Sequence, residues 1–407
     1  MSQSRMSGAP ADVVIVGGGV AAVECLIALR DLAGERVRIK LVAPAPDFVY
    51  RPMLVGEPFG GGEARHRALR EIAADFDAVV VQAAVVAVDS PGRRVICRSG
   101  TTIGYDSLVL APGARILEAF DDAIAFGRTG AGAAMGELVE RLKTRDARRV
   151  AFIVPTRVGW SLPLYELALM TAAAVRGHGV ADARLSLITP EERPLDVFGE
   201  RASAMVAGLL TSAGIEFVGD TYADVVEGEL RLGTRGPALP VDAIVSLPLV
   251  RGPELRGVPT AGELGFIPVD AHGRVAGLDG VYAAGDATDF PIKQGGLATQ
   301  QADAVAHHVA ARHGAPVTPE PFRPVLRGML LTGGEPRFLE ADPEGRIEGH
   351  ASSGTLWRPT SKIAGRYLAP YLADRDRDRE PAGERPPGFE DVEIPVATGA
   401  QDTAPRR

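Results

Sequence analysis

The chain is poor in the residues that build covalent or metal-bound scaffolds. It has 407 residues but only 2 cysteines. Cys25 and Cys97 are too few for a disulfide framework or a cysteine zinc site, and too far apart for a Cys-x-x-Cys pair. The histidines and acidic residues show no metal-ligand spacing. We therefore expect a protein of a reducing, cytoplasmic compartment that holds no metal.

Long apolar runs, positive net charge and lysine are also scarce. No run reaches the roughly 18 apolar residues that a membrane-spanning helix needs, and the first ten residues lack an apolar signal core. The formal net charge is −8 and no Lys/Arg block stands out, so we expect no nucleic-acid partner. Lysine supplies only four of the 44 basic residues, so a lysine is unusual in this chain wherever it occurs. The four lysines are Lys40, Lys143, Lys293 and Lys362.

Apolar strands alternate with helices from residue 11 onwards, and this pattern predicts an α/β fold with parallel sheets. A second strand-helix unit is inserted into the first, because the chain returns to the opening pattern near Gly280. We predict two interlocked Rossmann-like domains and a small C-terminal domain. The predicted boundaries are 11–125 and 270–315 for the first domain, 126–269 for the second, 316–372 for the C-terminal domain and 373–407 for a disordered, charged, proline-rich tail.

A glycine motif follows the first strand and opens the first helix. Gly17 makes the tight turn, Gly19 lets the backbone approach a pyrophosphate, and Ala22 permits close packing of helix on strand. The second strand should end in an acidic residue that binds a ribose, but Ala43 stands there. Either Asp47 substitutes from the following loop, or backbone and water hold the ribose. The proline- and glycine-rich residues 47–62 predict a long loop.

Two later segments point to the same site. Ala111-Pro-Gly113 forms a turn after a buried strand. Further on, a short strand runs into Gly285-Asp286, where a carboxylate at a buried strand end needs hydroxyl or N–H donors. The next helix is predicted over residues 294–312, and its N-terminus, with Gly296 and Leu297, offers backbone N–H groups to an anion or a carbonyl-type oxygen.

These three motifs, in this order and spacing, resemble the pyridine nucleotide–disulfide oxidoreductase superfamily over about residues 11–372. The segment from Asp47 to Pro52 and the one from Lys362 to Tyr371 are similar to the branch of sulfide:quinone oxidoreductases, flavocytochrome c sulfide dehydrogenases and type II NADH dehydrogenases. The resemblance implies an FAD-dependent oxidoreductase that acts on a small electron donor and acceptor, with a quinone as one candidate acceptor. The implied FAD contacts are Gly17, Gly19, Ala22, Asp47, Arg51, Val85, Ala111, Gly113, Gly285, Asp286, Gly296 and Leu297.

The second unit departs from the family pattern. When Glu166-Leu-Ala is set against the family's Glu-Leu-Ala, only Gly159 matches a glycine of a nicotinamide cradle. Ser161 and Leu164 occupy the other two glycine positions. We predict that the fold is kept while the pyrophosphate cradle is damaged, so that an NAD(P)H-dependent quinone or dye reductase becomes the alternative function. A flavin-bound sensor without turnover is a further alternative.

Two charged residues are candidates for catalysis. Lys293 lies in the loop that should approach the flavin pyrimidine, where a cation would stabilise the reduced, anionic flavin. The alternative is a solvated loop lysine. Glu166 either faces the flavin from the second domain or forms a pair on the helix surface. Both cysteines are expected to be buried small hydrophobic residues, which argues against sulfur transfer through thiols.

The segment 356–372 mixes Trp357, tyrosines and basic residues before the charged tail. In membrane-bound relatives this region docks on the bilayer and admits quinone. A short amphipathic stretch with interfacial aromatics fits such contact with a membrane surface. It fits equally a segment packed on the flavin domain, and Pro370 limits any helix. Both alternatives stay open, and the oligomeric state is not predicted.

Overall fold

The computed structural model describes residues 9–61, 65–226, 229–233, 236–342 and 349–377. Its α-helices are α1 (Val20–Ala33), α2 (Leu69–Asp75), α3 (Ala131–Thr144), α4 (Leu162–Gly177), α5 (Glu200–Ser212), α6 (Gly295–Arg312) and α7 (Leu368–Arg377). Short 3-10 helices cover Gly34–Arg36, Arg51–Phe59, Asp196–Phe198 and Gly285–Ala287.

The strands, in chain order, are β1 (Ala11–Val16), β2 (Val37–Ala43), β3 (Asp47–Tyr50), β4 (Arg65–Ala68), β5 (Ala78–Gln82), β6 (Val85–Asp89), β7 (Arg94–Cys97), β8 (Thr102–Gly104), β9 (Ser107–Leu110), β10 (Arg115–Leu117), β11 (Ile124–Ala125), β12 (Arg149–Ile153), β13 (Arg184–Ile188), β14 (Ile215–Val218), β15 (Ala223–Val226), β16 (Glu229–Leu232), β17 (Ala238–Leu239), β18 (Ala243–Ser246), β19 (Leu249–Arg251), β20 (Val281–Ala283), β21 (Leu326–Leu330), β22 (Arg337–Ala341) and β23 (His350–Ser352).

The first domain is built on a parallel sheet in the order β20-β9-β1-β2-β5. The central strands β1 and β9 are apolar and buried over residues 13–16 and 108–110, because helices or loops cover both faces of the sheet. Helix α1 packs against α6, and small buried residues on both helices, such as Ala22, Ala28 and Ala302, allow the two axes to approach closely. This close pair of helices begins at the same edge of the sheet.

The second domain repeats the design with a parallel sheet in the order β11-β18-β12-β13-β14. Helices α4 and α5 connect β12 to β13 and β13 to β14, which is the right arrangement for parallel neighbours. An antiparallel meander, β15-β16-β17, follows. The predicted fold class, two Rossmann-like α/β domains, is confirmed.

The two domains are interlocked by two passages of the chain. One passage contains β10 and leads from the first sheet to the second; the other contains β19 and leads back. These two strands pair antiparallel, with Ile116 opposite Val250. The first domain is therefore completed only after the second has been traversed, when β20 joins β9.

The C-terminal residues pack on both domains. Strands β21, β22 and β23 form an antiparallel sheet whose Leu326 and Leu339 join the core of the second domain. Helix α7 returns to the first domain, where Leu368 is buried beside α1. It runs past Ala373, so the predicted tail boundary is wrong there. Residues 378–407 lie outside the described residues.

The prediction of a long loop over residues 47–62 is also wrong. Strand β3 pairs antiparallel with β4, and the 3-10 helix Arg51–Phe59 follows. Pro52 lies in the first turn of that helix, where its missing N–H costs nothing. The strand depends on a partner that comes later in the chain, so local composition does not reveal it.

Candidate active site

Three turns from the first domain meet at the carboxyl edge of its sheet. Gly17 has φ +132°, and a Cβ there would lie 2.0 Å from the carbonyl oxygen of Ala111. Gly285 has φ +76°, and a Cβ there would come within 3.0 Å of the Ala21 side chain. Only glycine fits either place. The structure thus brings together the three segments that the sequence singled out.

The first of these turns leaves an anion cradle open. Helix α1 begins after Gly19, and no side chain caps its N-terminus. A Cβ on Gly19 would meet no atom within 4 Å, whereas Ala22 is fully buried against the sheet. The first N–H groups of the helix and its dipole therefore face open space, which suits a pyrophosphate.

Asp286 supplies the acceptor of the site. Burial raises the pKa of this carboxyl, while nearby Lys293 and Arg51 act to lower it. Within the described part of the chain no group donates a hydrogen bond to Asp286. A partly buried carboxylate with two cations near it and free oxygens is suited to binding the hydroxyl groups of a ligand.

Gln301 holds this turn in place and was not predicted from the sequence. Its side-chain oxygen accepts the Gly285 N–H at 2.7 Å and the Thr288 hydroxyl at 3.3 Å. Thr288 in turn donates to the Gly285 carbonyl at 2.9 Å. Gln301 is buried on α6. A buried amide in an Ala-rich helix face was the available signal, because such a group needs partners.

The charge of Lys293 acts on Asp286, and its amine is engaged within the protein. Nζ donates to the Thr288 carbonyl at 2.5 Å and lies 3.7 Å from the centre of the Phe266 ring. Burial lowers the pKa of Lys293 to about 8, opposed by the charges of Asp286 and Asp289. The alternative of a solvated loop lysine is therefore wrong. Near neutral pH the group is still mainly cationic, and a cation over a ring is favourable.

The N-terminus of α6 differs from expectation at Leu297. Its N–H donates to the Gln294 side chain at 2.9 Å, so this amide is not free for a ligand, and the contact of Leu297 with FAD stays a prediction. Gln294 is the N-cap, and a capping side chain satisfies an N–H two or three residues on. The N–H groups of Gly295 and Gly296, in the same first turn, lie outside the helical hydrogen-bond ladder.

The other residues considered for FAD binding belong to several elements of the first domain. Ala43 is buried and its Cβ lies 3.2 Å from the place of a Cβ on Gly18. Asp47 begins β3 and is partly buried, and Val85 begins β6 beside the sheet core. Arg51 is exposed and Gly113 has φ +75° with open space around it. Their contacts with a cofactor stay predictions.

The corresponding turn of the second domain is closed by the protein itself. A Cβ on Gly159 would lie 2.8 Å from the carbonyl oxygen of Pro291, and the Gly159 carbonyl accepts the Lys293 N–H at 3.2 Å. The loop of the first domain therefore lies on this glycine. Leu164 is fully buried in the core, where a third cradle glycine would lie in a nicotinamide site.

The carboxylate of Glu191, just after the second strand of this domain, is also hydrogen-bonded within the protein. It accepts the hydroxyls of Ser161 at 2.9 Å, Tyr165 at 2.7 Å and Thr189 at 3.0 Å. In dinucleotide sites an acidic residue at the end of this strand binds ribose hydroxyls. Here three hydroxyl groups of the protein itself donate to this carboxylate, where ribose hydroxyls would donate in a dinucleotide site.

Glu166 is buried and paired. Both its oxygens lie 2.6 Å from Lys362 Nζ, and one accepts the Leu331 N–H at 2.8 Å. Burial raises the pKa of Glu166, while Lys362 lowers it. The surface-pair alternative is wrong, because the Glu166 and Lys362 side chains are 1% and 7% exposed. The pair joins α4 to the C-terminal segment.

The thiols and histidines play other parts. Cys25 and Cys97 are both buried, as predicted, and burial raises the pKa of each thiol. His308 bonds the Tyr282 hydroxyl at 3.1 Å. No group of three or more potential ligands for a metal ion occurs among the residues that the structure describes. In the same residues no helix is long and apolar enough to span a membrane.

Comparison with known proteins agrees with this geometry. Residues 11–312 match the pyridine nucleotide-disulphide oxidoreductase family. Over 90% of both chains the sequence is 28% identical to the ferredoxin reductase component of a chlorobenzene dioxygenase from Cupriavidus sp.. It is 23% identical to the sulfide-quinone reductase of Aquifex aeolicus over 81% of this chain and 83% of that one.

A solved structure shares the fold along the same length. The X-ray structure of the sulfide:quinone oxidoreductase from the hyperthermophilic bacterium Aquifex aeolicus matches with a TM-score of 0.76 at 18% identity, covering 90% of each chain. The resemblance inferred from the motifs is confirmed, including its branch. The chain belongs to the pyridine nucleotide-disulphide oxidoreductase family, a family of FAD-dependent oxidoreductases.

Proposed function

We propose that this chain binds FAD and relays electrons through it to a small acceptor such as a quinone, without catalytic thiols and without a bound nicotinamide nucleotide. The observation that carries the proposal is the contrast between the two glycine turns. Gly19 faces open space, whereas Ser161, at the corresponding position of the second turn, donates its hydroxyl to Glu191. When bound, FAD would supply the electron-accepting and electron-donating chemistry.

The chain's own residues would bind and tune this cofactor. The first turn of α1 would hold the pyrophosphate, and Asp286 would accept ribityl hydroxyls, a role for which its free oxygens are suited. Arg51 would add a positive charge near Asp286. Lys293 would place a cation toward the flavin, which favours electron uptake. We expect Gln301 to act as a positioning residue, because it fixes the turn that carries Asp286.

The buried thiols favour electron transfer without a sulfur relay. A thiol becomes nucleophilic only as the thiolate, and burial raises the pKa of Cys25 and Cys97. Neither is in the turns that form the site. The double variant C25A/C97A should therefore keep flavin reduction and reoxidation, apart from an effect on stability.

A protein carrier is the second candidate acceptor. The relative from Cupriavidus sp. is named as a ferredoxin reductase component and is similar along 90% of both chains. A small quinone and a protein carrier can be separated by supplying each to the reduced protein. Quinone-specific reoxidation would support the first candidate, and reoxidation by an iron–sulfur protein alone would support the second.

The cofactor itself is tested by extraction. The purified protein should be yellow, and heat denaturation should release FAD that chromatography distinguishes from FMN. After anaerobic reduction with dithionite, added ubiquinone should reoxidise the flavin. A folded, colourless protein that cannot be reconstituted with FAD would contradict the proposal at its first step.

A further inference from the structure

A cleft of about 560 Å³ opens at the carboxyl edge of the second sheet. Pro155 and Thr156, after β12, line it together with Leu249, after β18, and Tyr222, before β15. Strands β13 and β14 lie on one side of β12, and β18 lies on the other. The crevice at such a change of direction is the usual ligand site of an open α/β sheet, and its volume is in the range of small-molecule sites.

The cleft is separate from the glycine turn of this domain. Gly159, Ser161 and Glu191 are not among the residues that line it. The described part of the lining also contains neither a helix N-terminus nor a Lys, Arg or His side chain. A phosphate or carboxylate needs one of these groups as its partner. A ligand of this cleft is therefore not an anion.

Tyr222 offers an aromatic face on a fixed backbone. Its side chain is 58% exposed, and no other ring of the described residues packs against it. The Gly233 N–H donates to the Tyr222 carbonyl at 2.6 Å, and the Thr221 N–H donates to the Thr189 carbonyl at 3.0 Å. Phe120, half-buried against the sheet, lines another part of the cleft. An exposed ring whose backbone is already ordered is suited to stacking on a planar ligand.

Three polar groups of the lining have no hydrogen-bond partner among the residues described. They are the hydroxyls of Thr156 and Tyr222 and one carboxylate oxygen of Asp224. The other Asp224 oxygen accepts the Val225 N–H at 2.9 Å. A carboxylate only accepts hydrogen bonds, so it selects a ligand N–H group or a cation. A second negative charge at this place would be repelled.

The neighbouring cations do not neutralise Asp224. Arg231 lies opposite it on β16, but the Arg231 guanidinium donates to Glu229 at 2.9 Å. Arg157, in the loop after β12, is paired with Glu263 at 3.1 Å. Each of these two cations has an acidic partner of its own. Among the described residues around the cleft, Asp224 therefore provides an excess negative charge.

The loops that flank the cleft hold two residues in left-handed backbone. Arg157, next to Thr156, has φ +65°, and Asp220, two residues before Tyr222, has φ +47°. Residues other than glycine adopt this conformation only where the surrounding structure imposes it, and they cluster at ligand-binding sites. The backbone at this edge is thus shaped at a cost, on both sides of the same cleft.

We propose that this cleft binds a planar aromatic molecule that carries an amino group, an amidine group or a ring cation, and neither a phosphate nor a carboxylate. Its ring stacks on Tyr222, and its N–H group or positive charge lies at Asp224. The second domain then has a ligand of its own beside the closed glycine turn. The site does not rest on the proposed function, because none of the residues proposed to bind FAD lines it.

Three ligands of nearly equal shape test the charge preference. Benzamidine, benzamide and benzoate carry a positive, a neutral and a negative group on the same ring. Titration calorimetry of the full-length protein should show benzamidine binding about fivefold more tightly than benzamide, as expected for one partly exposed charge pair. Benzoate should bind most weakly. Benzoate binding as tightly as benzamidine would overturn the proposal.

Single substitutions then assign the binding to this cleft. Y222A should weaken benzamidine and benzamide alike by about tenfold, because the stacked ring is lost, and Y222F should restore both affinities. D224N should weaken benzamidine about fivefold and leave benzamide unchanged. The matched control is D182N, since Asp182 is a half-exposed carboxylate at the amino edge of the same sheet. This control should bind all three ligands as the wild type does.

Two results would refute the site. One is benzamidine binding that neither Y222A nor D224N weakens. The other is displacement of benzamidine by NAD together with loss of NAD binding in Y222A, because the cleft would then belong to a nicotinamide nucleotide. Neither readout involves the flavin, so a failure of the proposed electron relay and a failure of this site are distinguishable.

Discussion

The two domains share one topology but differ at the turn after their first strand. In the first domain Gly19 borders open space, and the α1 N-terminus has no side-chain cap. In the second domain the Lys293 loop lies on Gly159, and Ser161 donates to Glu191. The same fold can therefore hold a dinucleotide or close upon itself, according to a few side chains at this turn.

The largest effect on the open turn is expected from Asp286. D286A removes the acceptor proposed for the ribityl hydroxyls, and we expect FAD affinity to fall by about 100-fold or more, since a hydrogen bond to a charged group contributes about 1.5–3 kcal/mol and several are lost. Fluorescence titration of the apoprotein measures this. D289A is the control, because Asp289 is exposed in the same loop. Equal affinities for both variants would place the ribityl chain elsewhere.

The next change concerns the buried ion pair between Glu166 and Lys362, whose loss should lower the stability of the protein. K362M leaves Glu166 buried without its cation, which costs about 3–5 kcal/mol of the free energy of unfolding. The double variant E166L/K362M removes both charges and should recover most of that loss. Urea unfolding measures all three proteins. A K362M protein as stable as the wild type would show that the pair contributes little.

A change at the Gln301 position should weaken FAD binding without unfolding the protein. Q301L leaves the Gly285 N–H without its acceptor and loosens the turn that carries Asp286, at a cost of about 1–3 kcal/mol. We expect FAD affinity to fall by about tenfold. Q301E keeps an acceptor at the same place and should restore much of it. If Q301L binds FAD as the wild type does, Gln301 has only a structural role.

Lys293 should tune the flavin by a smaller amount. In K293M the midpoint potential should fall by roughly 30 mV, equivalent to about 1.4 kcal/mol for a two-electron couple. Because burial lowers the pKa of Lys293 to about 8, the wild-type potential should show an additional downward bend above that pH as the cation is lost. K293R should lack the bend but keep the potential. Identical curves for K293M and wild type would remove Lys293 from the site.

The sequence predicted the parts of the molecule that depend on neighbouring residues. The turn at Gly17, the turn at Gly285 and the α/β alternation follow from short-range patterns. The long-range pairs were missed because the partners are far apart along the chain. Glu166 and Lys362 are 196 positions apart. Gln301 accepts the Gly285 N–H, and Glu24 accepts two N–H groups near the start of α7. Nothing in the local pattern around such a buried polar residue identifies its partner.

The wrong local predictions have the same origin. Asp47–Tyr50 form a strand because β4 supplies a partner, and the Leu297 amide is not free because it donates to the Gln294 side chain. For Leu297 the helix could be predicted but the hydrogen-bond partner could not, and for β3 the strand itself was missed because its partner strand comes later in the chain. The damage to the cradle at Ser161 and Leu164 stays a prediction, and it rests on a local, steric requirement for glycine at those positions.

The contrast between the two turns is tested most directly by rapid anaerobic mixing of the FAD-loaded protein with NADH or NADPH. If the second turn is closed as described, the flavin absorbance should stay unchanged over minutes with either nucleotide, while dithionite bleaches it in the same cell. Bleaching within seconds at micromolar NADH or NADPH would contradict the account, because it would require a nicotinamide site that the Gly159 turn does not provide.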